Sequence, residues 1–220
     1  MKEGIKMLKT IKNIIKSIKK NANQVKNIIR KKVDIFDEET ARAIVQQSID
    51  NVQKEAKENN IYVTITMKAE EDKTERKKCN SWSRNISDAI SEVFEKSFYG
   101  YDCLTAGVAN LNLKTGETNI EMYWKFIPTL QKAAYVDRKS VCIDLFETFV
   151  RHELRHIAQY KYLIKTIGLK ETEKLLKEMN SKVSYNEDPM EKDAYEFQFS
   201  GKDLSKVNEG LENLIAELKK

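Results

Sequence analysis

VCIDLFETFVRHELRHIAQY, residues 141–160, decides how the rest of this chain is read. Its apolar residues Val141, Ile143, Leu145, Phe146, Phe149, Val150, Leu154, Ile157 and Ala158 recur at helical spacing and cover much of a helix surface. Such a helix belongs against a core. The pattern runs from about Ser140 to Ile167, where Gly168 supplies a stop. Within it lie the only two histidines of the chain, His152 and His156, with Glu153 directly after the first.

On a helix, positions i and i+4 project from one face, a turn apart. Two imidazoles so placed can bind one Zn²⁺ at about 2.0–2.1 Å. Glu153 is rotated by about 100° from His152, so it can stand beside the metal without ligating it. Two histidines scattered at random along such a chain would fall four apart about once in a hundred times, and about once in a thousand with Glu after the first. The bland alternative is a pair of hydrogen-bonded core histidines.

A catalytic zinc needs a third protein ligand and an open position. With no third histidine, that ligand has to be a carboxylate. Glu171, Glu173 and Glu178 lie on a helix that reads as a solvated surface, and Glu187, Asp188, Glu191, Asp193 and Glu196 follow. Glu191 heads the short helix PMEKDAYEF, residues 189–197, and Ala194 would let that helix approach another closely.

The segment His152-Glu153-Leu154-Arg155-His156 resembles the motif of zincin metallopeptidases. Glu191-x-x-Ala194-x-x-Phe197 resembles the distal ligand helix of gluzincins, and the resemblance spans roughly residues 105–200. It implies an α+β, mostly helical zincin-like fold, with a small sheet or hairpin ahead of a long active-site helix. It also implies a zinc-dependent metallopeptidase acting on a peptide or protein substrate laid along an edge strand. His152, His156 and Glu191 would hold Zn²⁺, and Glu153 would be the general base for a metal-activated water. Asp193 and Glu187 stay open as alternatives for the third ligand. Tyr185 is the candidate phenol for the developing oxyanion, with Tyr160 and Tyr195 as alternatives. Arg155 departs from the family, which usually has an uncharged residue there, and is expected to face outward. The competing reading is a catalytically silent, zincin-like module of a larger assembly such as a phage particle.

The rest of the sequence limits the alternatives. Seven Gly and two Pro are too few for the turns of an all-β sandwich or barrel. Cys79, Cys103 and Cys142 are odd in number, widely spaced and without a CxxC pair, which argues for free thiols in a reducing compartment. No run of eighteen apolar residues occurs, and the N-terminus has no apolar signal region; a cytoplasmic or virion-associated protein is expected.

Residues 1–33 carry ten Lys and Arg30 against Glu3, a net +10 within a chain of +5, so residues 34–220 sum to −5. The first segment reads as a basic amphipathic appendage and the second as the zincin-like domain. Leu8, Ile11, Ile15, Ile18, Ala22, Val25 and Ile29 alternate by three and four, a coiled-coil seam suited to self-association or docking through residues 5–30. A lysine face opposite an Ile/Leu stripe also suits an anionic membrane surface. One Arg and no aromatic argue against nucleic acid.

Outward from the central helix, the patterning predicts a helix over 37–58, a strand over 61–67, a charged loop over 69–80 and a helix marked by Ile86–Phe94. A hairpin over 106–126 turns at Lys114–Glu117, with Met122, Trp124 and Phe126 alternating in its second strand. Helices follow over 169–180 and 190–199. A last amphipathic helix carries Leu204, Val207, Leu211, Leu214, Ile215 and Leu218.

Overall fold

A computed structural model of the chain describes residues 34–70, 105–134, 136–183, 187–200 and 203–218. The basic segment 1–33, the helix expected near 86–94 and Tyr185 lie outside the described residues.

The first element is α1, Glu38–Glu58. Asp37 caps it by accepting a hydrogen bond from Thr40 N at 2.8 Å, and Glu38 and Glu39 place negative charge in the first turn, where exposed N–H groups favour it. Ile44, Val45, Ile49 and Val52 form its buried stripe.

Strands β1 (Thr64–Lys68), β2 (Gly107–Leu111) and β3 (Thr118–Tyr123) form one sheet in the order β1-β3-β2. β1 runs parallel to β3, with Ile65 opposite Ile120; β2 runs antiparallel to it, with Ala109 opposite Ile120. Side chains alternate between sheet faces. Ile65, Ala109, Ile120 and Met122 are therefore buried on one face, while Lys68–Glu121 and Asn110–Asn119 pair on the other.

The second hairpin strand stops sooner than its alternation predicts. Trp124–Phe126 is a 3₁₀ turn leading into α2, Ile127–Ala134, which the sequence reading missed. Trp124 and Phe126 are still core residues, and Arg42 lies over the Trp124 ring at 4.6 Å. Pro128 sits in the first turn of α2, where its missing N–H costs no helical bond.

α3 (Lys139–Ile167) is the centre of the molecule. Gly168 ends it at φ +81°, a conformation with no penalty for glycine. α1, the sheet, α4 (Leu169–Lys182) and α5 (Pro189–Ser200) all pack on it. Phe146, Val150, Leu154 and Ile157 are almost fully buried. Each such side chain stabilises the fold by about 1.5–3 kcal/mol relative to exposure.

The expected single C-terminal helix is broken. Leu204–Lys206 forms a 3₁₀ turn and α6 spans Leu211–Leu218, with Gly210 at φ +79° between them. The apolar spacing across 204–218 therefore serves two short pieces that both face the core. Among the described residues no helix is long and apolar enough to cross a membrane. The architecture is α+β and mostly helical, with a small mixed sheet.

Candidate metal centre

Helical spacing on α3 sets His152 and His156 on one face, where α5 crosses. Both are buried, and their rings meet edge to face with centroids 4.8 Å apart. Their Nε2 atoms point to the same spot and are 3.2 Å apart. From α5, Glu191 presents one carboxylate oxygen to His152 Nε2 at 3.3 Å and the other to His156 Nε2 at 3.4 Å. One donor atom from each of the three residues lies within 4.8 Å of the others, a group that could hold a metal ion.

The spacing can be tested against coordination chemistry. Donors about 2.0–2.1 Å from a tetrahedral zinc lie about 3.3–3.4 Å from one another. The two Nε2 atoms match that spacing, and each lies about as far from one oxygen of Glu191, a different oxygen for each ring; with one donor atom per residue the group spans up to 4.8 Å. Two imidazoles and one carboxylate are also a donor set that suits zinc and leaves a coordination position open. The residues present fit the ion.

The alternatives for the third carboxylate go elsewhere. Asp193 is held away by Arg155, whose Nε and Nη2 donate to its two oxygens at 2.7 and 2.8 Å. Glu187 is exposed. Asp188 accepts from Met190 N at 2.7 Å, capping α5. Asp193 and Glu191 are two residues apart on one helix, so they face different directions. Ala194, fully buried beneath this crossing, leaves room for α5 to sit close to α3.

Arg155 corrects the sequence reading. It faces inward and is 3% exposed. Besides Asp193 it donates to the carbonyls of Val207 and Glu209, tying the segment before α6 to α3. Charge suggested an outward residue, but the C-terminal segment supplies acceptors that no local pattern announces.

Glu153 lies half-buried beside the cluster. Desolvation raises its carboxyl above the ordinary range; His156 and His152 pull it down, Glu191 pushes it up and the Ala109 N–H lowers it. Strand register explains that last contact. Asn112 donates to Glu117 and Tyr123 to Ala106, and antiparallel alternation then bonds Val108 and Asn110 to β3. The N–H and C=O of Gly107, Ala109 and Leu111 are thereby turned to the edge of β2 that has no strand partner among the described residues, and Glu153 meets one of them.

For His156, burial favours the neutral ring. The hydrogen bond and charge of Glu191, with Glu153 and Gln159, outweigh it and raise the imidazole to about 9. Two phenols flank the pair. Tyr160 stacks on His156 with centroids 6.3 Å apart, and burial with the charges of Glu153, Glu191 and Asp188 pushes its hydroxyl upward. Tyr195 lies against His152 at 4.7 Å and is 41% exposed. Nothing places Tyr185, the sequence candidate, since it lies outside the described residues.

Sequence reasoning missed Gln159 and the Ala109 N–H. Gln159, fully buried, is 2.7 Å from His156 Nδ1 through Oε1. Its position three residues after His156 on the same face was a signal, but glutamine is rarely read as part of such a site. No family model, curated protein or solved structure matches the chain.

Proposed function

We propose that this chain is a zinc-dependent metallopeptidase of gluzincin type, using His152, His156 and Glu191 as ligands and Glu153 as general base. One observation carries the reading: three donor side chains from two helices converge at coordination spacing, beside a fourth, acidic group that does not share the spot.

When bound, zinc would acidify a water towards about pH 7 and polarise the scissile carbonyl. Glu153 takes the proton from the attacking water and returns it to the leaving amine. Its raised carboxyl suits a group that must both accept and give a proton. The edge of β2 away from β3, one N–H of which already meets Glu153, offers backbone groups to an extended peptide. Tyr195, exposed beside His152, is better placed than half-buried Tyr160 to donate to a developing oxyanion.

The test is elemental analysis with a peptide-library digest. The wild type should carry about one zinc per chain, His152→Ala and His156→Ala should lose it, and Glu153→Gln should keep it but cut nothing. Protein without zinc affinity at micromolar metal would sink the proposal. Retained zinc with no turnover on any peptide would leave a binding module.

A further inference from the structure

We propose that Gln159 is the positioning residue of this centre, fixing His156 as the Nδ1–H tautomer and holding Glu191 in place with the same amide. The inference rests on the reading of His152, His156 and Glu191 as a metal centre and deepens it.

The amide orientation follows from its neighbours. Gln159 Nε2 lies 2.9 Å from the Met190 carbonyl and 2.6 Å from Asp193 Oδ2. A carbonyl only accepts, and both oxygens of Asp193 already accept from Arg155. Both demand a donor, so the NH₂ faces them and Oε1 faces His156. Oε1 only accepts, so His156 Nδ1 must donate across the 2.7 Å contact. In the neutral ring this leaves the lone pair on Nε2, the nitrogen aimed at His152 and Glu191.

The same side chain acts on the other helix. Met190 immediately precedes Glu191 in α5, and Asp193 follows it by two positions. Two hydrogen bonds from one buried amide thus bracket the carboxylate ligand. Arg155 steadies the arrangement by donating to both oxygens of Asp193. Partners of this kind, one bond removed from a metal, typically change affinity by about 10–100-fold when lost.

Two variants separate the halves. Gln159→Leu removes acceptor and donors together. Gln159→Glu keeps an acceptor for Nδ1 but has nothing to donate to Met190 or Asp193. Zinc dissociation constants come from competition with a chromophoric chelator. The tautomer comes from long-range ¹H–¹⁵N correlation of the metal-free protein at a pH above about 9, where the His156 ring is neutral; with two histidines, assignment needs one variant.

In the wild type His156 should be the Nδ1–H form. Gln159→Leu should lose that preference and bind zinc about 10–100-fold more weakly. Gln159→Glu should keep the tautomer and still lose zinc affinity. Gln159→Leu with the tautomer kept and zinc binding within about twofold of wild type overturns the proposal. If that variant does not fold, Gln159→Glu decides: unchanged zinc affinity there overturns the hold on Glu191, and loss of the Nδ1–H tautomer there overturns the acceptor role. A wild type that binds no zinc fails the metal reading, while the tautomer of His156 still tests Gln159.

Discussion

Replacing Arg155 by Met tests whether the polar middle of α3 holds the fold as the geometry requires. The guanidinium is 3% exposed and makes four bonds: two to Asp193, one to the Val207 carbonyl and one to the Glu209 carbonyl. Met fills much of the same volume without donors. The Asp193 side chain, 22% exposed, then keeps its charge with only Gln159 as donor. Breaking one side of a buried ion pair costs about 3–5 kcal/mol. The two carbonyls add less, because the segment before α6 is partly open to water. For a chain of this size the loss corresponds to a fall of about 6–20 °C in melting midpoint. The assay is urea denaturation of Arg155→Met, Asp193→Asn and the double variant. The single substitution should lose about 3 kcal/mol or more, and the cycle should show a coupling of about 1–3 kcal/mol. A loss below about 1 kcal/mol, typical of exposed pairs, would refute the burial argument.

Other outcomes follow from the same contacts. Ala194→Leu forces a larger side chain into the α3–α5 crossing; it should cost about 1–3 kcal/mol in chemical denaturation and weaken zinc binding by moving Glu191. The metal-free protein should be more stable in mild acid than in alkali. His156 is raised from 6.5 to about 9 in the fold, so its contribution is fully present below 6.5 and lost as pH rises through about 9; the raised carboxyl of Glu153 acts in the same direction. Melting midpoints of chelator-treated protein across that range check this, and a midpoint rising with pH would contradict it. Zinc should displace the His156 proton, so uptake at neutral pH should release protons, detected by calorimetry in buffers of different ionisation enthalpy. At a hundredfold excess of free zinc over its dissociation constant, the folded protein should gain about 2.7 kcal/mol.

The long helix was legible because its nine apolar residues and terminal Gly168 express local rules, and so was the face shared by His152 and His156. α1 was legible within a residue, since Asp37, Glu38 and Glu39 mark its start. Trp124 and Phe126 show where alternation misleads: both are buried, but a 3₁₀ turn puts them there instead of a strand. Apolar spacing says which residues go inside and says less about the backbone that takes them there. Gly210 shows the same in the C-terminal segment, where one residue at positive φ divides a continuous stripe.

Glu191 and Asp193 were not separable by sequence, because what separates them is a neighbour 38 residues away in the chain: Arg155 takes Asp193. Arg155 is itself buried because the segment around Val207 and Glu209 returns to it. Which carboxylate faces the two imidazoles is therefore a tertiary property here, decided by which one another charge has already claimed.

That observation bears on why α3 can carry so many polar groups through a core. Arg151, His152, Arg155, His156 and Gln159 are all buried within nine residues of one helix. Buried polar groups are tolerated only when partners replace water. α1 sends Glu55 to Arg151, α5 sends Asp193 to Arg155, and Gln159 faces His156 within α3 itself. The partners arrive from different elements, so each hydrogen bond also fixes where an element lies against α3. Two atoms of this group are exceptions: Arg151 Nε and His152 Nδ1 are buried with no hydrogen-bond partner among the described residues. The His152 ring is positioned instead by His156 and Tyr195 on either side. At Nδ1, ring packing is all that meets His152, while a hydrogen-bonded amide meets His156, which makes His156 the ring whose lone pair the fold specifies.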